Sequence, residues 1–201
     1  MSWINVIKPD NAEGKLKHIY AQVASASGQV DNVLSVHSLR PHTLQGHMAI
    51  YKASLHHTGN TLPVWLLECI GVYVSRLNGC DYCDHHHTTG LGRLIENQQR
   101  FHELDLALSE RRPGQPFSQS EQTIFPYVRR LTRKPARLKK SYIKNLQQAG
   151  YSDGQILEIN QAAAYFAYAN RTVQGLGVST AGEAMGLSPE KGDSLNDWSH
   201  G

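Results

Sequence analysis

The stretch that decides the fold is WLLECIGVYVSRLNGCDYCDHHH, residues 65–87. Its first half is apolar apart from one carboxylate, Glu68, and an arginine near its end, whereas its second half carries two cysteines and three consecutive histidines. Asn78-Gly79 lies between the halves and is typical of a turn. We therefore expect two helices that pack antiparallel about this turn, with Glu68 buried among apolar neighbours.

Three side chains of the second helix are predicted to share one face. At about 100° per residue from Cys80, Cys83 lies near 300° and His87 near 340°, whereas the two histidines before His87 point elsewhere. Glu68 and His87 lie ~16 Å and ~13 Å from the turn, and are thus level to within one helical turn. A carboxylate beside an imidazole beside a thiol is the arrangement of a general base that takes a thiol proton.

Composition indicates a folded globular protein. The chain has 201 residues, of which 40% are hydrophobic, and the 20 Lys and Arg against 17 Asp and Glu give a net charge of +3. We take this charge as too small and too evenly spread to predict nucleic-acid or membrane binding. The longest apolar stretch, 65–74, is far shorter than the ~20 residues of a membrane span, and MSWINVIKPD lacks a signal-peptide pattern. We expect a cytoplasmic protein.

The cysteine count points to chemistry rather than to structural crosslinks. Three cysteines are an odd number, and in a cytoplasmic chain Cys80-x-x-Cys83 indicates a redox or metal site before it indicates a disulfide framework. The third, Cys69, lies about 100° around its helix from Glu68, and we expect it to pack in the core.

The chain is predicted to be all-α, because apolar residues recur at helical spacing and no segment alternates with a period of two. A capping residue with an acidic or amide partner three positions later marks helix starts at Asp10, Ser118 and Ser152. The predicted helices cover residues 10–27, 41–58, 62–77, 80–97, 99–109, 118–132, 136–149 and 153–174.

The whole chain, 1–201, is predicted to form one domain. Its first half runs to about residue 110 and carries the thiol site, residues 111–117 form a linker, the second half covers 118–178, and a polar tail follows over 179–201. A weak internal repeat places Pro41–Leu44 before Leu67-Glu68 and Pro135–Leu138 before Leu157-Glu158. Chance similarity between two helix pairs explains it equally well, so a two-half pseudo-repeat stays open.

The spacing Glu68-x11-Cys80-x2-Cys83-x3-His87 resembles that of the AhpD-like alkylhydroperoxidases of the carboxymuconolactone decarboxylase superfamily, and of their peroxidase-related branch in particular. The resemblance extends through the CDYC motif (80–83), YFAYANR (165–171) and GLGV (175–178). It implies an all-helical bundle, a homo-trimer or homo-hexamer, and reduction of hydroperoxides without metal or flavin. A lipoyl-type or thioredoxin-like dithiol would then act as the reducing partner.

The resemblance also assigns roles. Cys83 attacks the peroxide, Cys80 resolves the product, and Glu68 with His87 relays the proton. The helix dipole favours a thiolate at Cys80. We nevertheless assign the attacking thiolate to Cys83, beside the base His87, because the dipole contributes ~1 kcal/mol whereas a positioned base raises a reaction rate roughly 10²–10⁴-fold. One departure is Tyr82, where AhpD itself has a histidine, because a tyrosine with a pKa of ~10 is no base at neutral pH.

Other interpretations stay open. The Cys pair is also compatible with a redox-responsive or metal-responsive switch, although a switch needs no buried carboxylate. A lactone reaction of the carboxymuconolactone decarboxylase type needs no cysteine pair. A zinc site over residues 80–87 is disfavoured because a structural site needs four converging ligands and one straight helix offers about three. Five further histidines are expected mostly at the surface or at interfaces, namely His37, His42, His47, His56 and His57.

Overall fold

A computed structural model describes residues 2–25, 28–111, 113–183, 185, 192 and 194. All regular structure in this part of the chain is helical, without a strand, which confirms the all-α prediction. The α-helices are α1 (Gly14–Val23), α2 (Asn32–Ser35), α3 (Pro41–Tyr51), α4 (Val64–Asn78), α5 (Asp81–Leu94), α6 (Gln98–Ser109), α7 (Gln119–Gln122), α8 (Ile124–Arg133), α9 (Lys140–Gln148) and α10 (Asp153–Gly175).

Two of the three helix starts predicted from local capping signals are confirmed. Ser118 and Ser152 each form a complete capping box, at the beginning of α7 and α10. The start predicted at Asp10 is wrong, because residues Pro9–Asn11 form only a 3-10 turn and α1 begins at Gly14. Ala12 follows the turn in an extended conformation and is buried in the core. Burial of this residue therefore overrides the local cap.

The helix predicted over 41–58 changes character half-way. It is α-helical to Tyr51 and continues as a π-helical turn over Lys52–His56. A π-turn places an extra residue in the turn and so rotates the side chains that follow it. Four of the five residues in this turn are buried, His56 among them, which brings an imidazole into the interior that helical periodicity places at the surface.

Helix α4 is the centre of the core, and α5, α6, α8 and α10 all pack against it. Its residues from Leu66 to Ser75 are all buried, including Glu68. Helix α10 packs tightly against α4 at Gly71, because a Cβ atom built there would overlap the Phe166 ring. The absence of a side chain at Gly71 thus allows the Phe166 ring of α10 to pack directly against α4.

The turn between α4 and α5 is the predicted one. Gly79 ends α4 with a φ of 67°, a left-handed conformation that glycine adopts without strain. Arg76 then ties the hairpin to α6, since its Nε donates to Asp84 Oδ1 at 2.9 Å and its Nη1 donates to the Asp105 carbonyl at 2.8 Å. The α4–α5 pair is therefore fixed at its turn end.

The chain beyond α10 folds back onto the first half. Asn32 Nδ2 donates to the Ser179 carbonyl at 2.8 Å, and the Glu183 carboxylate accepts from the Asn32 backbone N–H. The polar tail predicted over 179–201 is thus attached at its beginning, and most of the rest lies outside the described residues. Within the described chain, no helix combines the length and apolarity that a bilayer crossing requires.

Replacing Gly71 by alanine is expected to destabilise the protein by about 1–3 kcal/mol, because the added methyl group overlaps the Phe166 ring. Gly46 is the matched control, since it is helical and exposed and no atom lies within 4 Å of its added Cβ. Gly46→Ala should raise the free energy of unfolding by about 0.5–1 kcal/mol. Urea unfolding of both variants measures these changes, and equal effects would contradict the close α4–α10 approach.

Candidate active site

The two thiols lie at the head of α5. Cys80 is the N-cap residue and Cys83 occupies the first turn, with 2.8 Å between their sulfur atoms. Both are free cysteines. They are only 2% and 4% exposed and pack in an apolar cluster with Val36, Val173 and Val178. The two thiols are thus adjacent and covered.

The hydrogen bond between the two thiols shifts their pKa values in opposite directions. It lowers the pKa of Cys80 and raises the pKa of Cys83, while burial opposes ionisation of both. The nearby Asn170 amide lowers the pKa of each thiol. In this resting arrangement the negative charge is favoured on Cys80, with Cys83 holding the proton.

Glu68 lies on the neighbouring helix and binds the imidazole predicted for it. Its Oε2 is 2.7 Å from His87 Nδ1, and its carboxylate is buried. Because an ionised carboxylate accepts the Nδ1 proton, the other ring nitrogen of His87 is left with a lone pair. This is the tautomer that can act as a base at Nε2.

A second imidazole faces the same carboxylate. His56 Nε2 is 3.7 Å from Glu68 Oε1, beyond hydrogen-bond distance, and has no hydrogen-bond partner among the described residues. Burial lowers the pKa of His56 to about 4, although the Glu68 charge opposes this shift. His56 is therefore neutral near pH 7 and gains its charge only below about pH 4.

Aromatic rings surround His87. The Phe166 ring meets it edge-on at a centroid distance of 4.5 Å, and Tyr51 lies at 6.1 Å and stacks on Tyr165 at 5.2 Å. In the described part of the chain, no hydrogen bond joins His87 directly to either thiol. A proton that passes between them needs a bridging group, such as a water or the substrate itself.

Asn170 is the site residue that sequence reasoning missed. It is fully buried on α10, its Oδ1 accepts from Asn78 Nδ2 at 2.8 Å, and its Nδ2 donates to Ser75 Oγ at 3.1 Å. The available signal was an amide in the apolar stretch YFAYAN, since a buried amide needs hydrogen-bond partners. Its partners are the turn residue Asn78 and Ser75 at the end of α4, so α10 is attached beside the thiols from the second half of the chain.

Several other predictions about single residues are settled by burial. Cys69 is fully buried in the core as predicted, and burial raises its pKa, so it is inert as a nucleophile. Of the five histidines expected mostly at the surface or at interfaces, His47 and His56 are buried, whereas His37, His42 and His57 are not. Burial lowers the pKa of His47 to about 3. The interior holds these imidazoles among tyrosines, a context that helical periodicity does not reveal.

The residues flanking the thiols serve structural contacts. His86 is buried, with Nε2 3.0 Å from Glu183 Oε1, and stacks on Tyr82 at 4.6 Å. The Tyr82 hydroxyl accepts the Val33 backbone N–H at 3.1 Å, and Asp84 is engaged by Arg76. No group of three or more metal-ligating side chains converges within the residues that the structure describes. Tyr82 thus links α5 to α2 rather than to His87.

Solved structures with the same architecture come from proteins of low sequence identity. A peroxidase-related protein from Ralstonia eutropha, described as an alkylhydroperoxidase AhpD core, matches with a TM-score of 0.76 at 17% identity, over 90% of this chain and 93% of its own. A peroxidase-related protein from Silicibacter sp. gives 0.67 at 23% identity, over 77% and 78%. The debrominase Bmp8 with bound 2,3,4-tribromopyrrole gives 0.70 at 18% identity, over 90% and 95%.

No family model and no curated protein sequence matches the chain. The structural neighbours nevertheless share its helical arrangement over most of their length, and they include AhpD-core and peroxidase-related proteins. The structural overlap agrees with the motif spacing of residues 68–87. The chain accordingly has an all-helical AhpD-like fold.

Proposed function

We propose that this chain is a thiol-dependent hydroperoxide reductase, in which Cys80 and Cys83 supply two electrons and Glu68 with His87 moves the proton. One observation carries the proposal: two thiols 2.8 Å apart begin the helix whose His87 is bound by a buried carboxylate 2.7 Å away. A thiol pair supplies the electrons, and a carboxylate-oriented imidazole supplies the acid and base.

The proposed cycle begins with the Cys83 thiolate, which attacks one peroxide oxygen. An S–O bond forms, the O–O bond breaks, and the alcohol leaves with a proton, so that Cys83 becomes a sulfenic acid. The Cys80 sulfur then attacks Cys83, the sulfenic oxygen leaves as water, and a disulfide forms. The sulfur atoms begin 2.8 Å apart, less than 1 Å longer than the ~2.05 Å of a disulfide bond. An external dithiol returns two electrons and two protons.

The relay acts before and after the O–O bond breaks. His87 Nε2 accepts the thiol proton through a bridging water, and the resulting imidazolium is stabilised by the Glu68 carboxylate at Nδ1. The same proton then goes to the departing alkoxide. Because Glu68 is buried, its charge is screened little by water and acts strongly on the imidazole.

The reverse assignment of the cysteines is the second candidate. The lowered pKa of Cys80 and its place at the helix N-terminus both favour Cys80 as the attacking thiolate. The resemblance and the position of His87, one turn after Cys83, favour Cys83. Both assignments give the same disulfide and differ only in which sulfur carries the sulfenic acid.

A second substrate class follows from the likeness to Bmp8, a debrominase solved with a tribrominated pyrrole. Reductive removal of a halogen consumes the same two electrons from a thiol pair, and the rings of Tyr51, Tyr165 and Phe166 near His87 suit an aromatic substrate. Parallel assays with cumene hydroperoxide and 2,3,4-tribromopyrrole separate the two activities.

Replacing Cys83 by serine is expected to abolish hydroperoxide consumption, whereas Cys80→Ser should leave one turnover that ends in a sulfenic acid at Cys83. Mass spectrometry after one equivalent of cumene hydroperoxide, with a sulfenic-acid trap and a chelator, identifies the oxidised residue. Cys69→Ser is the control and should behave like the unmodified protein. A single turnover that survives in Cys83→Ser and not in Cys80→Ser would exchange the two roles.

We also propose that the chain forms a homo-trimer or homo-hexamer, supported by exposed apolar residues on α10. Leu157 and Tyr168 are 58% and 38% exposed and lie about three helical turns apart on one side of the helix. Leu157→Glu with Tyr168→Glu should lower the mass measured by light scattering at micromolar concentration. Leu106→Glu on α6, where Leu106 is 51% exposed, is the control. A monomeric mass of the unmodified protein would contradict the proposal.

A further inference from the structure

The net charge of +3 conceals a local concentration of positive charge over residues 129–140. This twelve-residue segment holds seven of the chain's 20 Lys and Arg and no Asp or Glu. It covers the end of α8, the 3-10 turn Pro135–Arg137 and the beginning of α9. We call these seven side chains the basic surface: Arg129, Arg130, Arg133, Lys134, Arg137, Lys139 and Lys140. All except the half-buried Arg130 are exposed.

The basic surface is concave. Two adjoining cavities of about 440 Å³ and 660 Å³ share Arg130 and Tyr142 in their walls. Arg129, Arg133 and Lys134 line the first, and Arg137 and Lys139 line the second, and neither is lined by an acidic side chain. A groove whose charged walls all have one sign focuses the field that attracts an oppositely charged partner.

The described residues give none of these seven cations a carboxylate partner. Arg130 Nε donates instead to the Tyr142 hydroxyl at 3.1 Å, and Arg133 Nη1 donates to the Leu77 carbonyl at 2.6 Å. Like charges in such proximity repel one another, and an anionic partner relieves that repulsion. The positive charge is thus uncompensated within the described chain.

The contact between Arg133 and Leu77 places the basic surface beside the thiols. Leu77 precedes Cys80 by three residues across the Asn78-Gly79 turn. Consecutive Cα atoms are 3.80 Å apart, so the Cα atoms of Leu77 and Cys80 are separated by at most about 11 Å. A protein held on the basic surface therefore lies within reach of the turn that leads into the thiol pair.

We propose that the basic surface docks an acidic protein whose dithiol reduces the Cys80–Cys83 disulfide. This inference rests on the proposed function, because only an oxidised pair needs a reductant. One thiolate of the partner attacks a sulfur of the disulfide, which forms a mixed disulfide and releases the other sulfur of the pair. The second thiol of the partner then attacks the mixed disulfide and releases the remaining sulfur of the Cys80–Cys83 pair. The partner leaves as a disulfide, and Cys80 and Cys83 regain two electrons and two protons.

Docking suits a thiol pair that is covered. Both sulfurs are almost fully buried, so exchange requires a local opening of the chain around them. A partner held at the turn is present at high effective concentration whenever that opening occurs. The surface favours an acidic protein over a nucleic acid, because the ring of its aromatic residue Tyr142 is already occupied. Arg130 donates a hydrogen bond to the Tyr142 hydroxyl, and the Arg130 guanidinium lies over the Tyr142 ring. The surface therefore offers no free ring on which bases would stack.

The test uses three dithiol peptides that share the core Trp-Cys-Gly-Pro-Cys and are flanked by glutamates, by lysines or by Gly-Ser. Diamide first forms the Cys80–Cys83 disulfide, so that the test does not depend on peroxide activity. The acidic peptide should reduce this disulfide at least about tenfold faster than the basic peptide at low salt, with a rate that falls as salt is added. Dye-labelled peptides with serine in place of cysteine report binding by fluorescence anisotropy without any redox step.

Charge reversal then locates the effect. Arg129→Glu with Lys134→Glu and Lys139→Glu should remove the advantage of the acidic peptide and leave reduction by neutral dithiothreitol unchanged. The matched control reverses three exposed lysines of the N-terminal region, Lys8, Lys15 and Lys17, and should retain the advantage. Equal rates for all three peptides, an equal loss in the control, or tighter binding of a single-stranded oligonucleotide than of the acidic peptide would each overturn the proposal. Failure of hydroperoxide to form the disulfide, with the peptide preference intact, would contradict the proposed function alone.

Discussion

The buried carboxylate of Glu68 is the constraint on which the rest of the site depends. It lies in the apolar interior of α4, where an unpaired charge would cost about 3–5 kcal/mol. His87 on α5 meets this requirement at 2.7 Å, and His56 from the π-helical turn faces the other oxygen at 3.7 Å, beyond hydrogen-bond distance. Pairing with His87 requires α4 and α5 to be antiparallel and in register. That register also brings Cys80 and Cys83 to the helix start beside the Asn78-Gly79 turn.

Helix α10 completes the arrangement from the other half of the chain. Gly71 lets Phe166 close against α4 and pack on the edge of His87. One turn further on, Asn170 forms hydrogen bonds with Asn78 and Ser75 and lowers the pKa of both thiols. The imidazole and the thiols are therefore held by the same helix, and a displacement of α10 would disturb acid–base and redox groups together.

Local sequence was sufficient for the parts of the molecule that depend on short-range geometry. Helical spacing in residues 65–87 predicted the pairing of Glu68 with His87, and the capping boxes at Ser118 and Ser152 predicted two helix starts. Contacts between distant segments were missed. Asn170 meets Ser75 and Asn78 across more than ninety residues, and the buried His86 meets Glu183 across 97. His56 was missed because a π-turn breaks the periodicity on which its placement rested.

The central claim is that Glu68 acts through His87 on the ionisation of the thiol pair. The rate of alkylation of the pair by iodoacetamide, measured against pH, tests it most directly. Asn170→Leu removes the amide that lowers the pKa of both thiols and is the positive control, with a midpoint that should move upward. An upward shift is expected in Glu68→Gln and in His87→Ala as well, because the charge that stabilises the imidazolium, or the base itself, is lost. An unchanged midpoint in both variants, with a shifted one in Asn170→Leu, would contradict the claim and leave Glu68 and His87 with a structural role only.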